Sequence, residues 1–368
     1  MRILIVTQDF PPETGGIQAF IYEMAKHFLA RGHAVTVVCP GAKNTPSPLP
    51  PQGRVIRIPI HSSWLFLPLL FRLPRILRAG NFDRVVYAQW PAVLSGLFIP
   101  SKSRPPSLCM AYGREMLSGV FGPLRNLLCR YGFETVDTVA PISRAVEKLL
   151  RLRANPKKTV LVPPGVDPHR FVPSNAQPLR DRYGFDDGPV ILSMARMVHR
   201  KGLDLVLKAF VRIRTRFPKA WLILAGDGPE APALKALALK MGVADRVRFP
   251  GIISAEEMPP LYSLASVFVL PSRESPKDIE GFGIVYLEAG ACEVPVIGTR
   301  TGGIPDAVSE GVTGLLVPQE DEAALAGALD RLLGNPEEAR RMGLAARARI
   351  LKELTWESTG DRILDILK

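Results

Sequence analysis

Histidine and cysteine are scarce in this chain of 368 residues, with 5 and 4 copies. Cys39, Cys109, Cys129 and Cys292 show no metal-ligand or redox spacing. They read as small buried apolar residues in a reducing compartment. No run reaches the roughly 20 apolar residues that a bilayer span needs. The opening "MRILIVTQDFPPETGG" reads as a strand and a loop, not a signal peptide. These absences predict a cytoplasmic protein. No D-x-D acid pair stands at a strand end, so a metal-bound diphosphate is not demanded and no metal site is expected. P-loop, Ser-His-Asp and RNA-binding aromatic patterns are missing too, which argues against a nucleic-acid partner.

Acidic residues are short in the first half alone. Residues 1–170 hold 22 Lys and Arg against 9 Asp and Glu, and the whole chain carries a net charge of +12. The first half thus carries the entire positive surplus and suits an anionic partner: membrane lipid, nucleic acid or a phosphorylated substrate.

What is present is a rhythm. "RILIVTQ", "HAVTVVC", "RVIRIPI", "DRVVYAQ", "SLCMAYG", "TVDTVAPIS" and "KKTVLVPPG" read as strands, most of them separated by helix-like stretches. In the first helix Phe20, Met24 and Phe28 recur at helical spacing, and Gly32 stops it. Pro163–Pro178, rich in proline, reads as a linker. A second series follows: "GPVILSMAR", "KAWLILAGDG", "RVRFPG", "ASVFVLPS", "VPVIGT" and "TGLLVP". Alternation of this kind predicts doubly wound parallel α/β sheets. The expected division is 1–170 and 171–354, with the helix of 355–368 packing back on the first domain. Ligands of such sheets sit beyond the strands' carboxyl ends, so the loops there should line a cleft between the two domains.

Five motifs occupy those loops. Gly15 and Gly16 open the first helix, where backbone N–H groups and positive potential suit a phosphate or sugar. No G-x-G-x-x-G follows that strand, so a dinucleotide turn is not expected. "ARMVHRKGLD" sets Arg196 at a strand end and Lys201 before a helix; the two either hold a diphosphate or form a solvated basic turn. "AGDGP" is a tight turn, and "TGGIPDAV" brings Gly302 and Gly303 close to a ligand. "EGFGIVYLEAGA" is the most specific. Gly281, Phe282 and Gly283 should form an anion-binding nest at the start of a helix from about Ile284 to Ala291. Glu280 precedes the turn and can accept from sugar hydroxyls. Glu288 lies within the helix among apolar neighbours, where a carboxylate needs donors such as a ribose diol.

Ser62–Gly80 joins a Trp/Phe/Leu run to Arg72, Arg75 and Arg78. It reads either as an amphipathic element on anionic lipid or as a core helix with solvated arginines. Pro68 and Pro74 argue against one long regular helix.

With these motifs, and above all the pair Glu280/Glu288 in an E-x7-E spacing, the chain resembles the retaining glycosyltransferases of family 4. The resemblance is strongest from Ser193 to Pro318. It implies a GT-B fold, two Rossmann-like domains facing a cleft, and sugar transfer from a nucleotide-diphosphate sugar with no tightly bound cofactor. "SRESPKDIEGFGIVYLEA" is similar to members that build mannosylated glycolipids, such as the phosphatidylinositol mannosyltransferases. GDP-mannose is then the first expected donor and a UDP-sugar the second. The acceptor would be a lipid-linked sugar, phospholipid or polysaccharide, and the enzyme would be peripheral to the inner face of the plasma membrane.

The resemblance also assigns roles. Arg196 and Lys201 would hold the diphosphate, and Gly15 and Gly16 would approach it from the first domain. Glu280 would bind the sugar and Glu288 the ribose. Backbone N–H groups at Phe282, Gly283 and Ile284 would touch sugar or phosphate, and Gly251, Ile252 and Ile253 would border the base. Asp9, Tyr112, Arg114 and Glu115 are expected on the acceptor side. Tyr112 stands where many relatives carry His, and a tyrosine is a poor base near neutral pH. Two other classes fit the same architecture: a sugar-nucleotide 2-epimerase and a non-catalytic nucleotide-binding protein.

Overall fold

The computed structural model describes residues 1–13, 15–42, 45–59, 66–96, 99–100, 103–117 and 122–368. The chain resolves into two compact units, Met1–Gly165 with Trp356–Lys368, and Val166–Thr355. The break at Gly165 falls inside the proline-rich Pro163–Pro178 segment.

The first unit runs β1 (Arg2–Val6), α1 (Gly16–Ala30), β2 (Ala34–Pro40), β3 (Arg54–Ile58), α2 (Phe66–Gly80), β4 (Arg84–Tyr87) and α3 (Trp90–Leu94). It continues with β5 (Ser107–Ala111), α4 (Pro123–Thr135), β6 (Thr138–Pro141) and α5 (Arg144–Arg153). The strands form one parallel sheet in the order β3-β2-β1-β4-β5-β6. Ile3 to Val6 are fully buried, which marks a strand covered on both faces.

Two expectations need correcting here. "KKTVLVPPG" forms no strand among the described residues; only a single bridge joins Val139 to Thr159. Pro163 and Pro164 lack the N–H that a ladder needs. In addition, α2 continues through Pro68 and Pro74. Pro68 lies in the first turn, where its N–H would have no helical acceptor. Pro74 removes one helix bond, and burial of Leu69, Leu73 and Leu77 at four-residue spacing offsets that loss. Residues 62–65 of the expected amphipathic element lie outside the described residues.

The second unit comprises α6 (Gln177–Tyr183), β7 (Val190–Met194), α7 (Leu203–Ile213), β8 (Trp221–Ala225), α8 (Ala231–Lys240), β9 (Val247–Gly251) and α9 (Met258–Leu264). It ends with β10 (Val267–Val269), α10 (Ile284–Ala291), β11 (Val296–Thr299), α11 (Ile304–Ala307), β12 (Gly314–Val317), α12 (Glu322–Gly334) and α13 (Pro336–Glu353). Its sheet, β12-β11-β10-β7-β8-β9, repeats the order of the first. The strand order reverses between β7 and β10, so the loops after those two strands flank the switch point where such sheets bind ligands.

The final helix, α14 (Trp356–Leu367), packs on α1 within the first unit. Trp356 meets Phe20 edge-on, with ring centroids 5.7 Å apart. His27 Nε2 lies 2.8 Å from Asp361, and Arg31 donates to both Asp361 and Glu357.

Candidate active site

The loops after β7 and β10 meet at Glu280. Its Oε2 accepts from Lys201 Nζ at 2.5 Å and Arg200 Nη1 at 2.7 Å, with Ser272 Oγ at 3.4 Å. Burial raises the cost of this charge, yet the two cations outweigh it and hold the carboxyl down at about 2. No described residue donates to Oε1. Arg200 also faces Asp278, with Nε 3.1 Å from its Oδ2. Arg200 escaped the sequence reading, because a third cation in "HRK" gives no signal of which one turns inward.

Arg196 stands apart from this cluster. It is exposed and makes no ion pair with any described residue. Its loop is nonetheless fixed: Met197 N–H donates to the Asp227 carbonyl, and Glu230 N–H to the Met197 carbonyl. The "AGDGP" turn therefore serves as the rest on which the Arg196 loop lies.

Two close approaches of backbone to backbone fix the segment that carries Glu280. A Cβ on Gly302 would lie 2.3 Å from the Glu280 carbonyl oxygen. The next residue, Gly303, donates its N–H to that same carbonyl at 2.8 Å. A Cβ on Gly202 would lie 2.2 Å from the Pro271 carbonyl. Both glycines have positive φ, 52° and 66°. They are needed because the segment carrying Glu280 is clamped from both sides.

Gly283 precedes α10 in a left-handed conformation. The N–H groups of Gly283, Ile284 and Val285 donate to no described residue and mark the free positive end of α10. Phe282 is buried and Gly281 has no positive φ, so the turn bends at Gly283 alone. Within α10, Glu288 Oε2 accepts from Tyr262 Oη at 2.6 Å. Burial pushes the Glu288 carboxyl above its usual range, against the Tyr262 bond and nearby Arg170. Its Oε1 likewise receives no described donor. Tyr262, in α9, is a partner that no local spacing could reveal. Gly251, the last residue of β9, has φ 78°, and Ile252 just past it is 81% exposed, beside Ile253.

In the first unit, Asp9 accepts from Gln89 Nε2 at 2.8 Å and Gln18 Nε2 at 3.2 Å. Burial, then Glu13, raises its pKa. Gly15 and Gly16 sit where α1 begins. Glu115 spends one oxygen on its own turn, accepting the Tyr112 N–H at 2.6 Å. Arg114 is exposed. The Tyr112 hydroxyl is buried without a described partner, and its ring meets Phe20 edge-on.

Comparison with known proteins settles what this frame is. Residues 176–349 match the family described as glycosyl transferases group 1, and residues 14–170 match Glycosyltransferase Family 4. The chain is 35% identical to a GDP-mannose-dependent alpha-(1-6)-phosphatidylinositol monomannoside mannosyltransferase of Mycolicibacterium smegmatis, covering 99% of this chain and 98% of that one. This chain belongs to glycosyltransferase family 4. A family 4 relative from Corynebacterium glutamicum, a GDP-mannose-dependent monoacylated alpha-(1-6)-phosphatidylinositol monomannoside mannosyltransferase, is 32% identical over 100% of this chain and 98% of its own.

The family 4 fold is also that of solved structures. Sucrose-phosphate synthase from Thermosynechococcus elongatus superposes with a TM-score of 0.85 at 24% identity, covering 100% of this chain and 98% of that one. Anabaena HepE, solved with UDP and glucose, gives 0.81 at 19% identity, covering 100% and 99%. The protein is a GT-B hexosyltransferase. No helix among the described residues is long and apolar enough to cross a membrane, and none of those residues form a metal-ligating cluster.

Proposed function

We propose that this enzyme transfers mannose from GDP-mannose to a hydroxyl of a lipid-linked or saccharide acceptor, with the anomeric configuration retained. The carrying observation is full-length identity of 35% to a relative that uses GDP-mannose on a phosphatidylinositol mannoside. The geometry supports it. Glu280 keeps one oxygen free for sugar hydroxyls while its other oxygen is saturated by cations. Glu288 keeps one oxygen free for the ribose.

In the reaction the bond from the anomeric carbon to the diphosphate oxygen breaks. The acceptor oxygen bonds to that carbon on the same face. Its proton passes to the departing phosphate oxygen, so no side-chain base is needed and Tyr112 serves without being one. Arg196, Lys201 and the backbone N–H groups at Phe282, Gly283 and Ile284 stabilise the leaving diphosphate as preorganised positive charge. Gly15 and Gly16 add backbone contacts to it, and Gly251, Ile252 and Ile253 border the base. Asp9, Tyr112, Arg114 and Glu115 orient the acceptor.

A lipid-linked acceptor would hold the enzyme at an anionic membrane surface, on the cytoplasmic face. Supporting this, α2 exposes Leu67 and Phe71 beside Arg72, Arg75 and Arg78. The helix α4, which also packs on α3, exposes Leu124, Leu127 and Tyr131 beside Arg125 and Arg130. Apolar side chains ringed by arginine suit the lipid interface.

The test is incubation with GDP-mannose or UDP-glucose, with and without phosphatidylinositol mannoside, and NMR of the product's anomeric centre. Transfer from GDP-mannose with retention supports the reading. Transfer from the UDP-sugar alone reassigns the donor. Conversion of donor without acceptor points to an epimerase.

A further inference from the structure

Behind the Lys201–Glu280 pair lies an arginine that touches neither. Arg273 stands in the loop after β10, seven residues before Glu280, and its side chain is 8% exposed. Its guanidinium reaches three other segments. Nη1 donates to the His199 carbonyl at 2.8 Å and to Asp204 Oδ1 at 2.6 Å. Nη2 donates to Asp204 Oδ2 at 2.8 Å and to Glu320 Oε2 at 3.2 Å, while Nε donates to Glu320 Oε1. The Arg273 backbone N–H also donates to the Arg200 carbonyl at 2.7 Å.

The segments so joined are those that matter to Glu280. His199 opens the tight turn of His199–Lys201, Asp204 lies in the first turn of α7, and Glu320 follows β12. Arg273 itself belongs to the loop that carries Glu280. Only a planar fork can hold a carboxylate with two bonds and still reach a carbonyl and a second carboxylate; a lysine ammonium cannot. The turn bearing Lys201 and the loop bearing Glu280 are therefore registered against each other through one buried guanidinium. Nothing in Arg273's contacts needs a ligand.

We propose that Arg273 is a positioning residue for sugar transfer, setting the spacing of Lys201 and Glu280 by tying the 199–201 turn to the 271–280 loop. The inference rests on the proposed transfer from a nucleotide sugar. It goes beyond that reading in giving a catalytic consequence to a residue whose guanidinium bonds are all to protein groups.

The test compares wild type, Arg273→Lys, Glu320→Gln, Glu280→Gln and the double variant Arg273→Lys/Glu280→Gln. Initial rates are measured with GDP-mannose and phosphatidylinositol mannoside, and each protein is melted. Misplacing a reacting group by about 1 Å costs about 100-fold. Arg273→Lys should thus lose about 100-fold in kcat while staying folded at assay temperature, and Glu320→Gln, which breaks the outermost contact, about 10-fold. In the Glu280→Gln background Arg273→Lys should cost less than about twofold, because the pair it positions is already broken. Full additivity in the double variant, or normal kcat in a folded Arg273→Lys, overturns the proposal. If Arg273→Lys does not fold, Glu320→Gln decides, and unchanged turnover there overturns it. If wild type transfers no sugar, the functional reading fails separately. Acid melting then decides: Arg273 also holds the Asp204 carboxyl down directly, so a change in the acid limb that Arg273→Lys causes beside Glu280 but not in the Glu280→Gln background supports the positioning role, and an equal change in both backgrounds overturns it.

Discussion

Lys201 Nζ and Glu280 Oε2 stand 2.5 Å apart, each side chain only 13% exposed. The ion pair holds the carboxylate charged and fixed, with its second oxygen open. Glu280→Ala should lower kcat by about 10²–10³, the range for removing a preorganised transition-state contact. Lys201 and Arg200 would also lose their shared anion. Initial rates with radiolabelled donor check this, and near-normal turnover would sink the role given to Glu280.

The same pair sets an acid limit. The Glu280 carboxyl is lowered from 4.5 to about 2 on folding. Between those values the unfolded chain binds the extra proton, so stability rises with pH across the window. The contribution is fully present above pH 4.5 and is lost as pH falls towards 2. Melting wild type and Glu280→Gln across that window should show a flatter acid limb in the variant.

Glu288 behaves in the opposite sense. Burial raises its pKa above 4.5, so the folded state holds its proton longer than the unfolded chain does. Stability therefore falls as pH rises through that interval and stays reduced above it. Glu288→Gln keeps an acceptor for the Tyr262 hydroxyl and carries no charge. The variant should melt a few degrees higher than wild type at pH 7 without ligand, yet bind GDP about tenfold more weakly, as expected where stability was traded for function. Thermal melts and calorimetric titration with GDP check both halves.

The exposed faces of α2 and α4 give a fourth prediction. Phe71 is 70% and Leu127 61% exposed. Phe71→Glu with Leu127→Glu should reduce sedimentation with phosphatidylglycerol vesicles about tenfold. Raising salt should weaken wild-type binding, and phosphatidylcholine vesicles should retain neither protein.

The sequence carried the sheets well, because an apolar run between turn residues is a local signal. Among the described residues twelve strands stand where short apolar runs precede Gly, Pro or polar turns. It misread "KKTVLVPPG", where the proline pair lies beyond what alternation detects, and α2, whose buried leucines at four-residue spacing outweigh Pro74. At the site, Glu280, Glu288 and the α10 start were legible from the E-x7-E spacing and its glycines. Their partners were not. Tyr262 lies 26 residues from Glu288, and Arg200 lies 80 from Glu280. Such meetings depend on how β7, β10 and α9 are laid side by side, which no window along the chain contains. Gly302 was read as making room for a ligand. Its missing Cβ makes room for the Glu280 carbonyl instead.

Charge compensation around Glu280 also decides how a nucleotide sugar is felt from afar. Arg200 and Lys201 are matched by Glu280 and Asp278, two cations against two carboxylates, so their fields cancel within a few ångströms. Arg196 alone at this site is left without a described counter-ion. On the proposed function, an approaching diphosphate would be drawn by that one side chain through a screened distance of about 8 Å at physiological salt. The buried cations would be met only on arrival, so Arg196 would act in capture before it acts, with Lys201, on the leaving group.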